Sequence, residues 1–599
     1  MLKQFWFLSF AGTIILIVFL SASGCSNMFA RKDKESPFDT LEMPVFETED
    51  GKPKLVRDCA IIGNYDMIVV QGFGLVVNLP GTGGADTQSY AYRMVYEDLN
   101  RQRVSNIRAM LADPRTAVVE ITGFMRPGIQ PGDRFDVQIT LPEGTSTKSL
   151  RGGILETARL TEKHMADTLR KGSTRAIAAG PIMVDDLLAT ETSNLSGLQS
   201  GTILSGAVTT DPRALSLIMK EKSMIMSDRI ARAINQRFPL PTGLQKGVAS
   251  AQTDSLIILD VHHSYSNDVP RYVRVIQSIA CYETQVQQLR RIERLREELL
   301  DPETSQHAAF QLEAIGRAGI PPLQQALRSP DMEVRFHAAT SLAYLGDGTS
   351  AKVLAEIARV EPAFRVYALN ALSVMKNDLE AEYYLQELLH VPSAETRYGA
   401  FRALKNRNPM DQTIRGEMLG DPRKGQFSYH GVNSPAPPMV HITANKLSEI
   451  VLFGVADIFL RQPFALDAGP LIFVNGQNPN EVVVSRFATK GIDERRTVSN
   501  HLDSIIRAVV DMGGTYPDVI QMIRQADRDG VLSCRLEIDC LPEPNRIYRR
   551  SNSESDWVYE EEEKPRTFWD RLNPRNIFSP NPGEKTSDFT GTVNTSIRD

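Results

Sequence analysis

The sequence predicts an α+β protein with a mostly antiparallel, β-rich body that is interrupted by an all-α block of stacked helical repeats. Three observations carry this expectation. Short alternating runs separated by glycine turns fill residues 56–283. A helical stretch with a repeating pattern occupies 284–406, and a second α+β segment runs from 445 to 541. At 599 residues the chain is long for one hydrophobic core, so two to four domains are expected.

The N-terminus reads as an export signal. Lys3 precedes an apolar run from Phe5 to Leu20, which breaks into Ser21-Ala22-Ser23-Gly24 directly before Cys25. Small residues after such a run mark a signal peptide. A small residue immediately before cysteine resembles the lipobox of bacterial lipoproteins, although Ala22 stands where that pattern prefers leucine. The resemblance implies a lipoprotein-type signal peptide over 1–25, with lipid on the Cys25 thiol and a membrane anchor as the outcome. Ser26 leans towards the outer membrane. A plain signal peptide or an uncleaved anchor is the alternative, and each takes the chain out of the cytoplasm. Residues 26–55 are polar, with Pro37, Pro44 and Pro53, and are expected to be a flexible tether.

Within 56–283, Phe135, Val137, Ile139 and Leu141 alternate with polar residues after a Pro131-Gly132-Asp133 turn, which predicts a half-buried strand. Leu215, Ile218, Met226, Ile230 and Ile234 have helical spacing and predict a helix over 213–238. Leu256–Val261 and Tyr272–Ile279 are rich in β-branched residues and predict strands, separated by a polar loop containing Pro270.

The repeats are explicit. Ser305-Gln306-His307-Ala308-Ala309 resembles Arg335-Phe336-His337-Ala338-Ala339, and Arg365-Val366-Tyr367-Ala368 and Arg397-Tyr398-Gly399-Ala400 follow at similar intervals. Leucine stands at the same phase in each, at Leu312, Leu342, Leu372 and Leu404. Small residues with a phased leucine let paired helices pack closely and bury a shared face. Asp331-x-Glu333-Val334-Arg335 resembles the turn and second helix of a HEAT repeat, with a period close to the short bacterial variant. Such arrays present extended protein-binding surfaces, so an unknown protein partner is expected here. The block is also expected to fold on its own.

Residues 407–444, rich in Pro, Gly and Asn, read as a linker. Beyond them, Ser499 is expected to cap a helix carrying Leu502, Ile505, Ile506, Val509 and Val510, which stops at Gly513-Gly514. Thr515 and Asp518 form a capping-box pattern for a second helix, with Pro517 in its first turn. A strand with Leu532, Cys534, Leu536, Ile538 and Cys540 on one face closes the segment. The acidic, proline-rich tail 542–599 is expected to be disordered.

No catalytic, cofactor or metal site emerges. A net charge of −6 argues against nucleic acid as a partner. Gly72, Gly74, Gly81, Gly83 and Gly84 lack the Gly-Lys-Ser/Thr that a phosphate loop requires. His262 and His263, read as neighbours on a strand, would point to opposite faces and could not share a metal. Cys59, Cys281, Cys534 and Cys540 show no metal-ligand spacing and leave three complete pairings open. Arg101, Arg103, Arg108, Arg115 and Arg126 concentrate positive charge around the early β-rich region.

Four stretches, in order, resemble the flagellar P-ring protein family. They are Gln71-Gly72-Phe73-Gly74-Leu75-Val76-Val77-Asn78-Leu79-Pro80-Gly81-Thr82-Gly83; Lys148-Ser149-Leu150-Arg151-Gly152-Gly153; the Met226–Asn235 segment followed by Tyr272–Ile279; and Leu502–Ile538. The resemblance implies a non-enzymatic subunit of a homo-oligomeric ring in the periplasm and cell envelope. That ring would act as a bushing around the flagellar rod and meet the L-ring proteins. Within such a ring, the glycine turns and the forked arginine lead us to expect subunit contacts at Gly81, Gly83, Gly84, Lys148, Arg151, Gly152 and Gly153, and the clustered charge a rod-facing basic lining at Arg108, Arg115 and Arg126. Some members pair the cysteine corresponding to Cys534 with one in the preceding β-rich segment. Phe459–Phe473 holds none here, so that bond is absent or rewired. The lipid anchor and the repeats are additions to the family pattern, and a ring-derived envelope adaptor is the alternative they leave open.

Overall fold

The computed structural model describes residues 48, 52–84, 87–162, 173–188, 195–239, 247–487, 492–544 and 546–550. The expected signal peptide, Cys25, most of the tether and 551–599 lie outside the described residues.

The early β-rich region is a closed barrel. In order around it run Arg134–Thr140, Ala117–Met125, Ile68–Val77, Ile154–Glu162, Thr174–Pro181 and Ser200–Thr209, and the last pairs back with the first. All of these pairings are antiparallel. The strand expected around Val137 and Ile139 is present, and both side chains are fully buried inside. Val76, Val119, Ile121, Leu155, Leu160 and Ile203 fill the interior with them. Outside the barrel, the helices Tyr90–Arg101 and Ile107–Leu111 cover Leu75 and Val118.

Next to it lies a four-stranded antiparallel sheet of Ala60–Gly63, Leu215–Met219, Leu256–Leu259 and Ala249–Ala251. Here two expectations are corrected. The helix read over 213–238 spans only Met224–Arg237, capped by Ser223, because Leu215–Met219 is a strand. Leu215 and Leu217 point into the core while Ile218 is 43% exposed, the alternation of a strand that one i,i+3 pair had disguised. The strand read over 272–279 is instead the helix Val269–Gln277. Asp268 caps it by accepting from the Arg271 N–H at 3.0 Å, and Pro270 sits in its first turn. Its β-branched residues reflect burial on several sides, not an extended backbone.

The repeat block comprises eight helices from Gln285–Leu299 to Ala394–Arg407. Leu312, Leu342, Leu372 and Leu404 are all completely buried, and Ala308, Ala338, Ala368 and Ala400 are equally enclosed beside them. Its first helices enclose a cluster of their own around Leu295, Leu312, Leu323 and Leu342, but the rest of the block shares its core with its neighbours. One continuous apolar cluster runs from Val56, Leu217 and Tyr272 through Phe336, Leu372 and Phe401 to Val451 and Phe453.

The expected linker 407–444 is not a linker. It contributes Gly416–Leu419, Phe427–Val432 and Met439–Ile442 to a five-stranded mixed sheet with Glu449–Phe453 and Arg535–Ile538. Phe427 and Tyr429 are buried, and Pro435, Pro437 and Pro438 occupy only the connection between two strands. A four-stranded meander of Phe464–Ala468, Ile472–Asn478, Glu481–Arg486 and Glu494–Ser499 follows, and the helices Leu502–Asp511 and Tyr516–Arg528 pack in the same core. The capping box is present: Asp518 accepts from the Thr515 N–H at 2.8 Å and from its hydroxyl at 2.7 Å. Ser499 is not the cap of the preceding helix; its hydroxyl meets Ser504 at 3.0 Å, and His501 holds the cap position. The final strand is shorter than expected, and Cys540 leaves it to pack on the repeat-side core.

Candidate functional site

The two motif segments are brought together on one end of the barrel. Thr82 donates its hydroxyl to the Ser149 carbonyl at 2.7 Å, and the Lys148 N–H donates to the Thr82 carbonyl at 2.9 Å. Thr147 closes the contact by donating to the Gly84 carbonyl at 2.6 Å. The glycines within this clasp have different duties. Gly81 has φ +90° with open space around it, while a Cβ at Gly83 would strike the Thr116 carbonyl. A Cβ on Gly153 would lie 2.6 Å from Val76 and 2.9 Å from the Leu150 carbonyl, so this position serves the barrel's packing. Gly84 is closed off by Ser146.

Arg151 and Gly152 face the second α+β segment of the same chain. A Cβ on Gly152 would come within 3.2 Å of Pro470. Burial raises the Asp518 carboxyl, and its Thr515 bonds and then the Arg151 charge pull it back. The Arg151 Nε is buried with no hydrogen-bond partner among the described residues. Gly81 and Lys148 remain exposed, so they are the motif residues left for an outside contact.

The arginines differ in their partners. Arg126 pairs with Asp133 at 3.2 Å and donates to the Ser266 carbonyl at 3.0 Å. Arg115 grips Asp113 at 2.6 Å, and Arg101 lies 3.5 Å from Glu97. Arg103 and Arg108 are exposed near the short helix Ile107–Leu111.

The repeat block is joined to its neighbours by two buried ionic seams. On the N-terminal side Glu313, with no exposed surface, binds Arg271 and accepts from the Tyr265 hydroxyl at 2.7 Å. Arg271 also donates to Ser341 at 3.1 Å and lies over the Tyr344 ring. On the C-terminal side Glu449, likewise wholly buried, binds Lys405, lies 3.4 Å from Arg402 and accepts from the Tyr398 hydroxyl at 2.9 Å. Burial alone would raise the Glu449 carboxyl, but Arg402 and Lys405 bring it down to about 2. His430 is kept neutral by burial and by Lys405; its Nδ1 lies 2.7 Å from the Ile414 carbonyl and its Nε2 3.0 Å from Lys405 Nζ. That geometry has Nδ1 donating and Nε2 accepting. His441 is pushed down to about 3 by burial; its ring stacks on Tyr398 at 3.5 Å and its Nε2 accepts from the Cys540 N–H at 3.0 Å.

The start of the expected disordered tail, 542–550, instead lies along the repeat helices. Pro542 packs by Gly399, and the Tyr367 hydroxyl donates to the Pro544 carbonyl at 2.6 Å. Arg546 pairs with Glu395, the Tyr548 ring sits 4.6 Å from Phe364, and Arg550 donates to Glu333 at 2.6 Å. The strap therefore runs backwards along the array, from the last repeat towards the first.

Residues 56–292 match the family of the flagellar P-ring protein, and residues 292–372 match HEAT repeats. The chain is 26% identical over 213 residues to the flagellar P-ring protein of Geobacter sulfurreducens, covering 34% of this chain and 54% of the relative. The Geobacter metallireducens protein of the same name is 25% identical over 229 residues, covering 36% and 59%. That of Wigglesworthia glossinidia brevipalpis is 28% identical over 244 residues, covering 38% and 61%. Residues 56–292 are thus similar to flagellar P-ring proteins. The chain spans about half the length of the curated relatives it matches. The family match ends at the first repeat helix, so the fourth resembling stretch, 502–538, lies beyond it.

The matched segment thus contains both motifs and the Arg271 side of the first seam. Sequence reasoning missed both seams, because Arg402, Lys405 and Glu313 look like ordinary helix-surface charges until their partners fold over them. The strap had a faint signal in Arg546, Tyr548, Arg549 and Arg550, a basic and aromatic cluster heading an acidic tail. His262 and His263 are not on a strand; they open a short 3₁₀ turn, with ring centroids 4.2 Å apart. Among the described residues, no group of three His, Cys, Asp or Glu side chains is placed to hold a metal. Nor is any described helix long and apolar enough to cross a membrane.

Proposed function

We propose that this chain is a non-enzymatic structural subunit of a flagellar P ring, a bushing around the rod in the cell envelope. The observation that carries the reading is the P-ring match over 56–292, which includes the interlocked 81–84 and 145–153 motifs. A ring of identical subunits needs a head-to-tail contact that closes by rotation. Exposed Gly81 and Lys148 supply one side of that contact, and Arg103 and Arg108 offer positive charge to an acidic rod surface. The rod and the L-ring proteins are the partners in this reading. Cys25 carries the lipid that holds the subunit to the outer membrane.

The test is Lys148→Glu. It is expected to leave the thermal melt of the monomer unchanged while removing rings from membrane extracts seen by electron microscopy, with motility falling in parallel. Normal rings would remove this motif from the subunit contact. A native protein that never forms rings would favour the second reading, an envelope lipoprotein adaptor whose repeat array binds another protein. The extended array supports that alternative, but the strap of 542–550 already occupies part of the surface it would need.

A further inference from the structure

The four described cysteines are free thiols, yet two of them have been brought together from positions 222 residues apart. The sulfurs of Cys59 and Cys281 lie 3.5 Å apart. Their backbones are held on both sides. The Val56 N–H donates to the Ile279 carbonyl, the Cys281 N–H donates to the Lys54 carbonyl, and the Lys220 N–H donates to the Cys59 carbonyl, each at 2.9 Å. Leu55 and Ala280 form an antiparallel bridge between them. A disulfide bond is about 2.05 Å long, so closure asks for a side-chain movement of about 1.5 Å. Cys540 is turned elsewhere, with its sulfur 3.0 Å from a Glu537 carboxylate oxygen.

We propose that Cys59 and Cys281 form a disulfide when the exported chain meets a dithiol–disulfide oxidoreductase, closing residues 59–281 into one covalent loop. The inference rests on the envelope location proposed above, because a reducing compartment would keep the thiols apart. In the first step the half-buried Cys59 thiolate attacks the carrier's disulfide and releases one carrier thiol. Buried Cys281 then attacks the Cys59 sulfur of the mixed disulfide and releases the second. The two protein thiols lose two electrons and two protons, and the carrier's disulfide gains them as two thiols. The chemistry of the pair suits this order. The Cys281 thiol hydrogen bond to Cys59, and more weakly Lys54 and Lys220, lower the Cys59 pKa, whereas the same bond and burial push Cys281 up.

The loop would enclose the barrel and the four-stranded sheet, with the tether arriving and the repeat block leaving beside the same bond. Tension from a lipid-held N-terminus would then pass through the disulfide into the repeats without loading the barrel.

The test uses the purified full chain, reduced and then incubated with glutathione disulfide, quenched in acid, alkylated and digested without reductant. A linked peptide joining Cys59 to Cys281 is expected, and Cys59→Ser is expected to leave Cys281 fully alkylated. Two alkylated thiols in the wild type, or a link from Cys59 to Cys534 or Cys540, would overturn the pairing. The same digestion on protein taken directly from cells separates pairing from location. Closure in both samples supports both. Closure in vitro with free thiols in cells supports the pairing and rejects the envelope location.

Discussion

The barrel and the repeat block differ in where their cores end. The barrel interior is a cluster of its own, bounded by strands that pair all the way round. Beyond a small cluster kept by the first repeats, the repeat helices share one apolar cluster with the four-stranded sheet before them and the mixed sheet after them. The element with the most regular sequence is therefore not independent in the fold. A repeat array exposes an apolar face at each end unless something caps it. Here the four-stranded sheet region caps one end and the second α+β segment caps the other.

The sharpest way to break this comparison is a charge in each core. Leu372→Asp buries an unpaired carboxylate in the shared cluster of the repeats, at a cost of ~3–5 kcal/mol. It is expected to lower a single unfolding transition monitored by far-ultraviolet circular dichroism, taking the flanking sheets with it. A second transition left at the wild-type temperature would show that the repeats unfold alone. By the same logic, a fragment spanning 291–408 is expected to self-associate in sedimentation, because it loses Tyr272 on one side and Phe453 on the other.

The two seams come next, and they are not equal. Glu313→Gln leaves Arg271, only 7% exposed, without its charge partner, and is expected to cost ~3–4 kcal/mol. Glu449→Gln strands Lys405 and Arg402, which are 24% and 22% exposed and partly hydrated; ~2 kcal/mol is expected. Urea melts of the two variants rank them, and equal midpoints would erase the distinction.

Acid offers a subtler probe. His441 and His262 titrate at about 3 and about 4 in the folded chain because burial disfavours their charged forms. Unfolded, they take up protons near 6.5. The unfolded state thus binds more protons below that pH, and the histidine contribution to stability declines from about 6.5 towards 3. Glu449, depressed to about 2, stabilises the fold above its unfolded pKa near 4.3; that contribution is lost as pH falls through about 2. Urea midpoints at pH 7.5, 5.5 and 4.0 are expected to fall in that order. A flat series would contradict the buried neutral histidines.

The smallest effect belongs to the strap. Arg550→Ala removes a pair whose arginine is 36% exposed, worth roughly 0.5–1 kcal/mol after solvent screening. Limited proteolysis is expected to cut after residue 541 several times faster in the variant, with little change in the global melt.

What the sequence revealed depended on whether a signal was local. The phased leucines, the barrel strand around Val137 and the Thr515–Asp518 box are encoded within a few turns or one alternation, and all three are present. Leu215–Met219 and Val269–Gln277 were misread because buried elements surrounded on several sides lose the one-sided pattern that distinguishes strand from helix. The strands within 407–444 were hidden by prolines that mark only their connection. At the motif clasp, the glycines were legible as sites of close approach. Which approach was not: Gly153 meets Val76 and Gly152 meets Pro470, both within this chain. Glu449 became special only when two elements far apart in sequence closed over it.

The strap also changes the mechanics of the array it crosses. A stack of paired helices behaves like a leaf spring, bending by small rotations between neighbouring repeats. A chord fixed near Gly399 at one end and Glu333 at the other cannot lengthen without breaking the Tyr367, Arg546 and Arg550 contacts. The repeats between those points are braced at one curvature, as a strung bow is. Such a brace makes the block a stiff spacer that sets a distance instead of absorbing strain.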